Sequence, residues 1–138
     1  MGRILGVDLG ARKVGLALTD PLRMFGSPLD TIPLVSEASV VERIVQLCQE
    51  RGADLVVIGM PFQADGTEGE GCARARRIQE KLQARGLEVA LHDERWTSRD
   101  AEAALRESGK ISRAMKGKTD KVAAALILQD YLRETSGG

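Results

Sequence analysis

Aromatic residues are almost missing: Phe, Trp and Tyr supply 3% of the 138 residues. Val, Leu, Ile and Ala must therefore fill the core. Net charge is missing too, because 20 basic residues balance 20 acidic ones. Bulk charge gives no general attraction to nucleic acid or membrane, so any electrostatic footprint has to be local. Only Cys48 and Cys72 are present, without metal-ligand spacing. Cys48 falls on an apolar helical stripe, as a reduced core thiol does. No apolar run reaches the ~18 residues of a membrane span, and no small-residue cleavage site follows Met1–Leu9. A soluble cytoplasmic protein without a membrane partner is expected. His92 is the single histidine, which leaves no triad and suits a strand-end hydrogen bond. No Walker-type loop or nucleophile elbow occurs.

What is present is regular patterning over a length that suits one domain, residues 1–138. Residues 3–9 and 13–19 read as a hairpin turning at Gly10-Ala11-Arg12. A third strand lies within 24–32, and Pro28 limits its pairing. Ser36 caps a helix to about residue 51, with Val40, Val41, Ile44, Val45, Leu47 and Cys48 inward, and Gly52 ends it. Residues 54–60 form a short apolar run of the buried parallel type, stopped by Pro61. Residues 62–69 read as a mobile loop. A helix over 69–85 follows, with Ala75, Ile78 and Leu82 inward, then a strand over 87–92. Thr97 or Ser98 caps a helix bearing Ala101, Ala104 and Leu105. A polar stretch, 108–118, precedes a last helix over 119–132, and the tail from Thr135 is expected to fray. The order predicts an α/β fold, a mixed sheet with helices on its faces.

Three carboxylates sit oddly for plain structure. Asp8 interrupts the apolar run of the first strand, where a charge is costly unless compensated. Glu94 follows the strand 87–92, with Asp93 beside it. Asp120 opens the last helix on a stripe whose other members, Ala123/Ala124, Ile127 and Tyr131, are apolar. It should face the sheet, and the first helical turn favours its negative charge. Sites in open α/β sheets gather beyond the carboxyl ends of parallel strands. A helix cap or a solvated turn would use such residues as well. Brought together, two unit charges at 4 Å repel by roughly 4 kcal/mol at an effective dielectric of 20. Either one stays protonated or a divalent cation joins them. Oxygen-only ligands suit Mg²⁺ or Mn²⁺. Two such ions about 3.5–4 Å apart can activate a water and support the leaving oxygen of a phosphodiester.

Basic residues form two groups. Arg74, Arg77, Lys81 and Arg85 make one helical stripe, which a solvated face would also show. Arg106, Lys110, Arg113, Lys116, Lys118 and Lys121 lead directly into Asp120. Such patches fit phosphate contacts. With Arg12 and Lys13 of the hairpin turn, Arg74, Arg77, Lys110, Arg113, Lys116 and Lys118 are the candidate nucleic-acid-binding residues.

Four motifs carry a resemblance. They are Ile4-Leu-Gly-Val-Asp-Leu-Gly10 with Gly15-Leu-Ala17; Ile58-Gly-Met-Pro61 with Asp65-Gly-Thr-Glu68; Leu91-His-Asp-Glu-Arg95; and Lys118-Thr-Asp-Lys-Val-Ala-Ala-Ala-Leu-Ile-Leu-Gln129. In order and at family-like spacing, they resemble the YqgF/RuvX family. That family is described as Holliday junction resolvases, or as the nuclease that processes the 5′ end of the small-subunit (16S) ribosomal RNA precursor. The resemblance implies a ribonuclease H-like fold: a five-stranded mixed sheet, its first three strands antiparallel, flanked by helices. It also implies a divalent-metal nuclease with Asp8, Glu94 and Asp120 as catalytic residues and ligands to Mg²⁺ or Mn²⁺, two ions in all. Trp96 stands where the family more often has Leu or Phe. Small residues at Gly6, Gly10, Gly15 and Ala17 allow close approach to the strand. The expected partner is nucleic acid, either structured RNA or branched DNA, bound by a monomer or a homodimer.

Three other readings stay open. A four-way DNA junction would call for a two-fold dimer. An RNA-binding ribosome assembly factor would keep the surface without the cleavage. The Asp-Leu-Gly hairpin also opens actin-like sugar kinases and chaperone ATPases, but these need two lobes and a far longer chain.

Overall fold

Alternation in the first strand decides which side of the sheet each helix covers. The computed structural model describes residues 2–94, 99–111 and 120–136. In β1 (Arg3–Leu9), Leu5, Val7 and Leu9 enter one core cluster. Ile4 belongs to the other cluster, on the face that Gly6 shares, and the pleat puts Asp8 there too. β2 (Lys13–Thr19) splits the same way, with Val14, Leu16 and Leu18 on the first face and Ala17 on the second.

The sheet has five strands in the order β3-β2-β1-β4-β5. β1, β2 and β3 (Gly26–Pro33) are antiparallel neighbours. β4 (Ala53–Met60) runs parallel to β1, and β5 (Glu88–Asp93) runs parallel to β4. This is the arrangement that the resemblance implies. Pro28 is tolerated because β3 is an edge strand, and the β2–β3 register shifts between Leu16 and Ala17, beside it.

Two helices cover the first face. In α1 (Glu37–Arg51) Ser36 and Ser39 form a reciprocal capping box, and Gly52 closes the other end. In α2 (Glu70–Ala84) Cys72, Ala75, Ile78 and Leu82 are buried. Both cysteines are free and buried, and burial pushes the Cys48 thiol up to about 11. The second face takes α3 (Arg99–Glu107) and α4 (Asp120–Ser136).

α4 departs from the sequence reading in two ways. It is buried without interruption from Ala124 to Asp130, because the sheet packs on one side and Leu105 and Ile111 join the same cluster. It also runs on to Ser136 where fraying was expected: Leu132 is buried, and the Thr135 hydroxyl donates to the Tyr131 carbonyl at 2.9 Å. The segment 62–69 is likewise more ordered than expected. The Thr67 hydroxyl lies 2.6 Å from Asp65 Oδ1 and 2.8 Å from Gln63 Oε1 and donates to one of them, and Arg76 holds Glu68 with two N–H groups. The expected caps Thr97 and Ser98, and Trp96, lie outside the described residues. No helix among the described residues is long and apolar enough to cross a membrane.

Candidate active site

The three carboxylates come from distant parts of the chain and meet on the α4 face. Asp8 lies opposite Gly15 in the β1–β2 pairing. Glu94 follows β5 directly, two strands away from β1, with β4 between. Two strand spacings are about 10 Å, so the Glu94 carboxylate has to cross β4 to reach Asp8. It does so over Gly59, where a Cβ would stand 2.5 Å from Glu94 Oε2. Any side chain there would occupy the path. Asp120 is the first residue of α4, and its carbonyl oxygen sits over Gly15, where a Cβ would come within 1.9 Å. Its Oδ1 lies 3.9 Å from the position of a Cβ at Gly10, in the turn after β1.

Electrostatics follow from this packing. Asp8 and Glu94 are half-buried and hydrogen-bonded to each other. Burial pushes the Asp8 carboxyl above its ordinary range; the Glu94 hydrogen bond opposes this, and the charge on Asp120 adds to it. Burial first, and then the charge on Asp8, push Glu94 up to about 7; Asp93 contributes as well. The pair therefore shares a proton in the metal-free protein near neutral pH. Asp93 is the last residue of β5, and the pleat turns it to the other face from His92.

The donor set is all oxygen, desolvated and mutually repelling. That combination fits a hard divalent cation, which would take the place of the shared proton. Asp8, Glu94 and Asp120 are the residues that would hold it.

Cationic side chains distribute unevenly around this centre. Arg74 Nη1 donates to the Gly10 carbonyl at 3.1 Å, at the turn that follows Asp8. Arg12 and Lys13 are exposed in that turn and line a cleft of about 340 Å³ with Thr31, Ile32 and Pro33. Arg77 lies on the α1–α2 seam, paired with Glu37 at 2.9 Å and Glu70 at 3.0 Å, and Lys81 also holds Glu37. Arg85 pairs with Glu42. Most of the expected stripe thus ties two helices together on the face away from the carboxylates. Lys110 lines a cleft with Arg3 and Thr19, at the end of the sheet opposite Asp8. Arg113, Lys116 and Lys118 lie outside the described residues. A larger cleft, about 540 Å³, is bordered by Ile4, Leu22, Gln129 and Leu132 and does not touch the carboxylates.

His92 is buried on the α4 face of β5, with Nε2 2.8 Å from Asp130 Oδ2. The hydrogen bond agrees with the sequence reading; its partner was not legible. Asp130 stands near the end of an apolar helical run, and its burial requires a donor, which His92 supplies.

Known proteins place the chain. The family model described as RuvX, Holliday junction resolvase, matches residues 2–134. A relative from Endomicrobium trichonymphae, named "Putative pre-16S rRNA nuclease", is 42% identical over 134 residues, 96% of each chain. A relative of the same name from Shewanella oneidensis is 38% identical over 135 residues, 97% of this chain and 96% of its own. The solved RuvC of T. thermophilus with a Holliday junction substrate superposes with a TM-score of 0.64 at 15% identity, covering 99% of this chain and 97% of its own. That likeness shows a shared ribonuclease H-like fold. With a family match over nearly its whole length, the chain belongs to the RuvX family.

Proposed function

We propose that this chain is a divalent-metal-dependent nuclease that hydrolyses phosphodiester bonds, and that its substrate is the 5′ end of pre-16S rRNA during ribosome assembly. One observation carries the metal reading: Asp8, Glu94 and Asp120, from three separate elements, converge on one face at the carboxyl ends of β1 and β5. Mg²⁺ or Mn²⁺, as a pair of ions, would bind there and supply water activation and stabilisation of the leaving oxygen. Asp8 is central, because both other carboxylates act on it. The substrate name borne by the relatives supports the choice of RNA.

Arg12, Lys13 and Arg74 lie at the turn that follows Asp8 and would hold the backbone phosphates. Arg113, Lys116 and Lys118, in the segment leading into Asp120, would extend that track. Arg77, on the far face, and Lys110, at the far end of the sheet, would meet only a substrate that wraps beyond the carboxylates, and a cytoplasmic location follows from the substrate. A second reading, cleavage of four-way DNA junctions by a homodimer, is favoured by the description of the matching family model. The discriminating experiment is cleavage of a pre-16S 5′-leader RNA and a synthetic four-way DNA junction, side by side, with and without Mn²⁺. Metal-dependent cutting of the RNA alone supports the proposal. Cutting of the junction alone replaces it with the second reading. Tight RNA binding with no cutting of either would make the protein an assembly factor.

A further inference from the structure

Four polar side chains are buried among the described residues: Thr19, His92, Gln129 and Asp130. Two of them are consecutive on α4 and grip opposite edges of the sheet. Gln129 Oε1 accepts from the Gly26 N–H of edge strand β3 at 3.1 Å. Asp130 reaches His92 of edge strand β5 at 2.8 Å. His92 Nδ1 lies 3.5 Å from Glu134 Oε2, and Tyr131 packs edge-on against the ring. One ligand atom each from His92, Asp130 and Glu134 lies within 4.8 Å of the others, so Glu134→Gln, which should leave Mn²⁺ binding unchanged, is the control against an ion held here.

Between these anchors α4 rests on glycines through apolar side chains. Leu128 lies over Gly6 and Gly26, and Ile127 lies over Gly59. Such contacts set how closely the helix approaches the sheet but add no directional bond. Hydrogen bonds are directional, and buried ones are expensive to break. Asp120 lies ten residues before Asp130, about 15 Å along the helix axis. A tilt of about 5° at the anchors would move Asp120 by roughly 1 Å on that lever. Metal ligation tolerates only about 0.2 Å. Glu94, two residues past His92, is about 7 Å further along the same face of the chain.

We infer that His92 and Asp130 are positioning residues for the carboxylate cluster, their bond fixing the helix that carries Asp120 to the strand that leads into Glu94. The inference rests on the metal reading above. It is tested by Mn²⁺ titration of purified wild type, His92→Leu and His92→Gln, followed by electron paramagnetic resonance, with circular dichroism to check folding. His92→Leu should weaken Mn²⁺ binding about ten- to a hundredfold, the range for residues that orient ligands. His92→Gln, whose amide N–H can still reach Asp130, should recover most of that loss, which a merely stabilising role would not require. Asp130→Leu carries the test if His92→Leu fails to fold, with the same loss expected. Wild-type affinity in the Leu variant, or equal loss in Leu and Gln variants, overturns the positioning role alone. A wild type that binds no Mn²⁺ overturns the metal reading together with it.

Discussion

At the scale of single residues, the acidic centre is a titrating device. Glu94 has its carboxyl raised to about 7, and Asp8 is raised as well, burial leading in both. The folded protein therefore holds protons between the ordinary carboxylate range and about 7 that the unfolded chain has released. Stability contributed by these groups is present at low pH and is lost as pH rises through that window. Glu37 has the opposite sign. Arg77 holds it down at about 2, so its contribution is present above the ordinary range and is lost only in strong acid. With metal chelated, the melting temperature of the wild type should fall between about pH 4.5 and pH 7, and Glu94→Gln should flatten that slope. Equal slopes would show that Glu94 does not carry the proton. Mn²⁺ binding should run the other way and strengthen as pH passes about 7, because the cation displaces the proton. Asp8, Glu94 and Asp120 were legible in the sequence because each stands where an apolar pattern or a helix start makes a carboxylate conspicuous. Asp130 was not: a polar residue late in a helix reads as surface until the second covering layer is known.

At the scale of elements, the same two glycines that admit the carboxylates predict different failures. A Cβ at Gly15 would meet the Asp120 carbonyl at 1.9 Å, and backbone cannot step aside. Gly15→Ala should shift the start of α4 and cost about 1–3 kcal/mol in denaturant unfolding. A Cβ at Gly59 would meet Glu94 Oε2 at 2.5 Å and Ile127 Cδ1 at 2.6 Å, both at the ends of flexible side chains. Gly59→Ala should cost less than Gly15→Ala, because these ends can shift, yet displace Glu94 and lose metal-dependent cleavage. A Gly59→Ala protein with full activity would contradict the path assigned to Glu94. Local signals were enough for the strands and for α1, whose cap and apolar spacing agree. The role of Gly59 was not, because it depends on a side chain that crosses from two strands away. Likewise the stripe from Arg74 to Arg85 has one spacing in sequence, yet Arg74 bonds the Gly10 carbonyl while its neighbours meet Glu37, Glu42 and Glu70 on helices.

At the scale of the whole molecule, a chain of zero net charge must bind a polyanion through a local track. Arg74→Gln should weaken RNA binding and lower the slope of log affinity against log salt by about one. Arg77→Gln should change that slope less, because its guanidinium is shared between two carboxylates. Equal slopes in the two variants would remove the distinction. The five-stranded order itself was legible only through the resemblance, since alternation identifies strands without saying which of them are neighbours.

The central claim is that Asp8 holds the metal that cuts. The direct measurement follows cleavage of end-labelled pre-16S leader RNA by wild type and Asp8→Asn in Mn²⁺, with RNA binding measured on the same preparations. The account predicts cleavage by the wild type, none by Asp8→Asn, and binding retained by both. Cleavage by Asp8→Asn at the wild-type rate would contradict it.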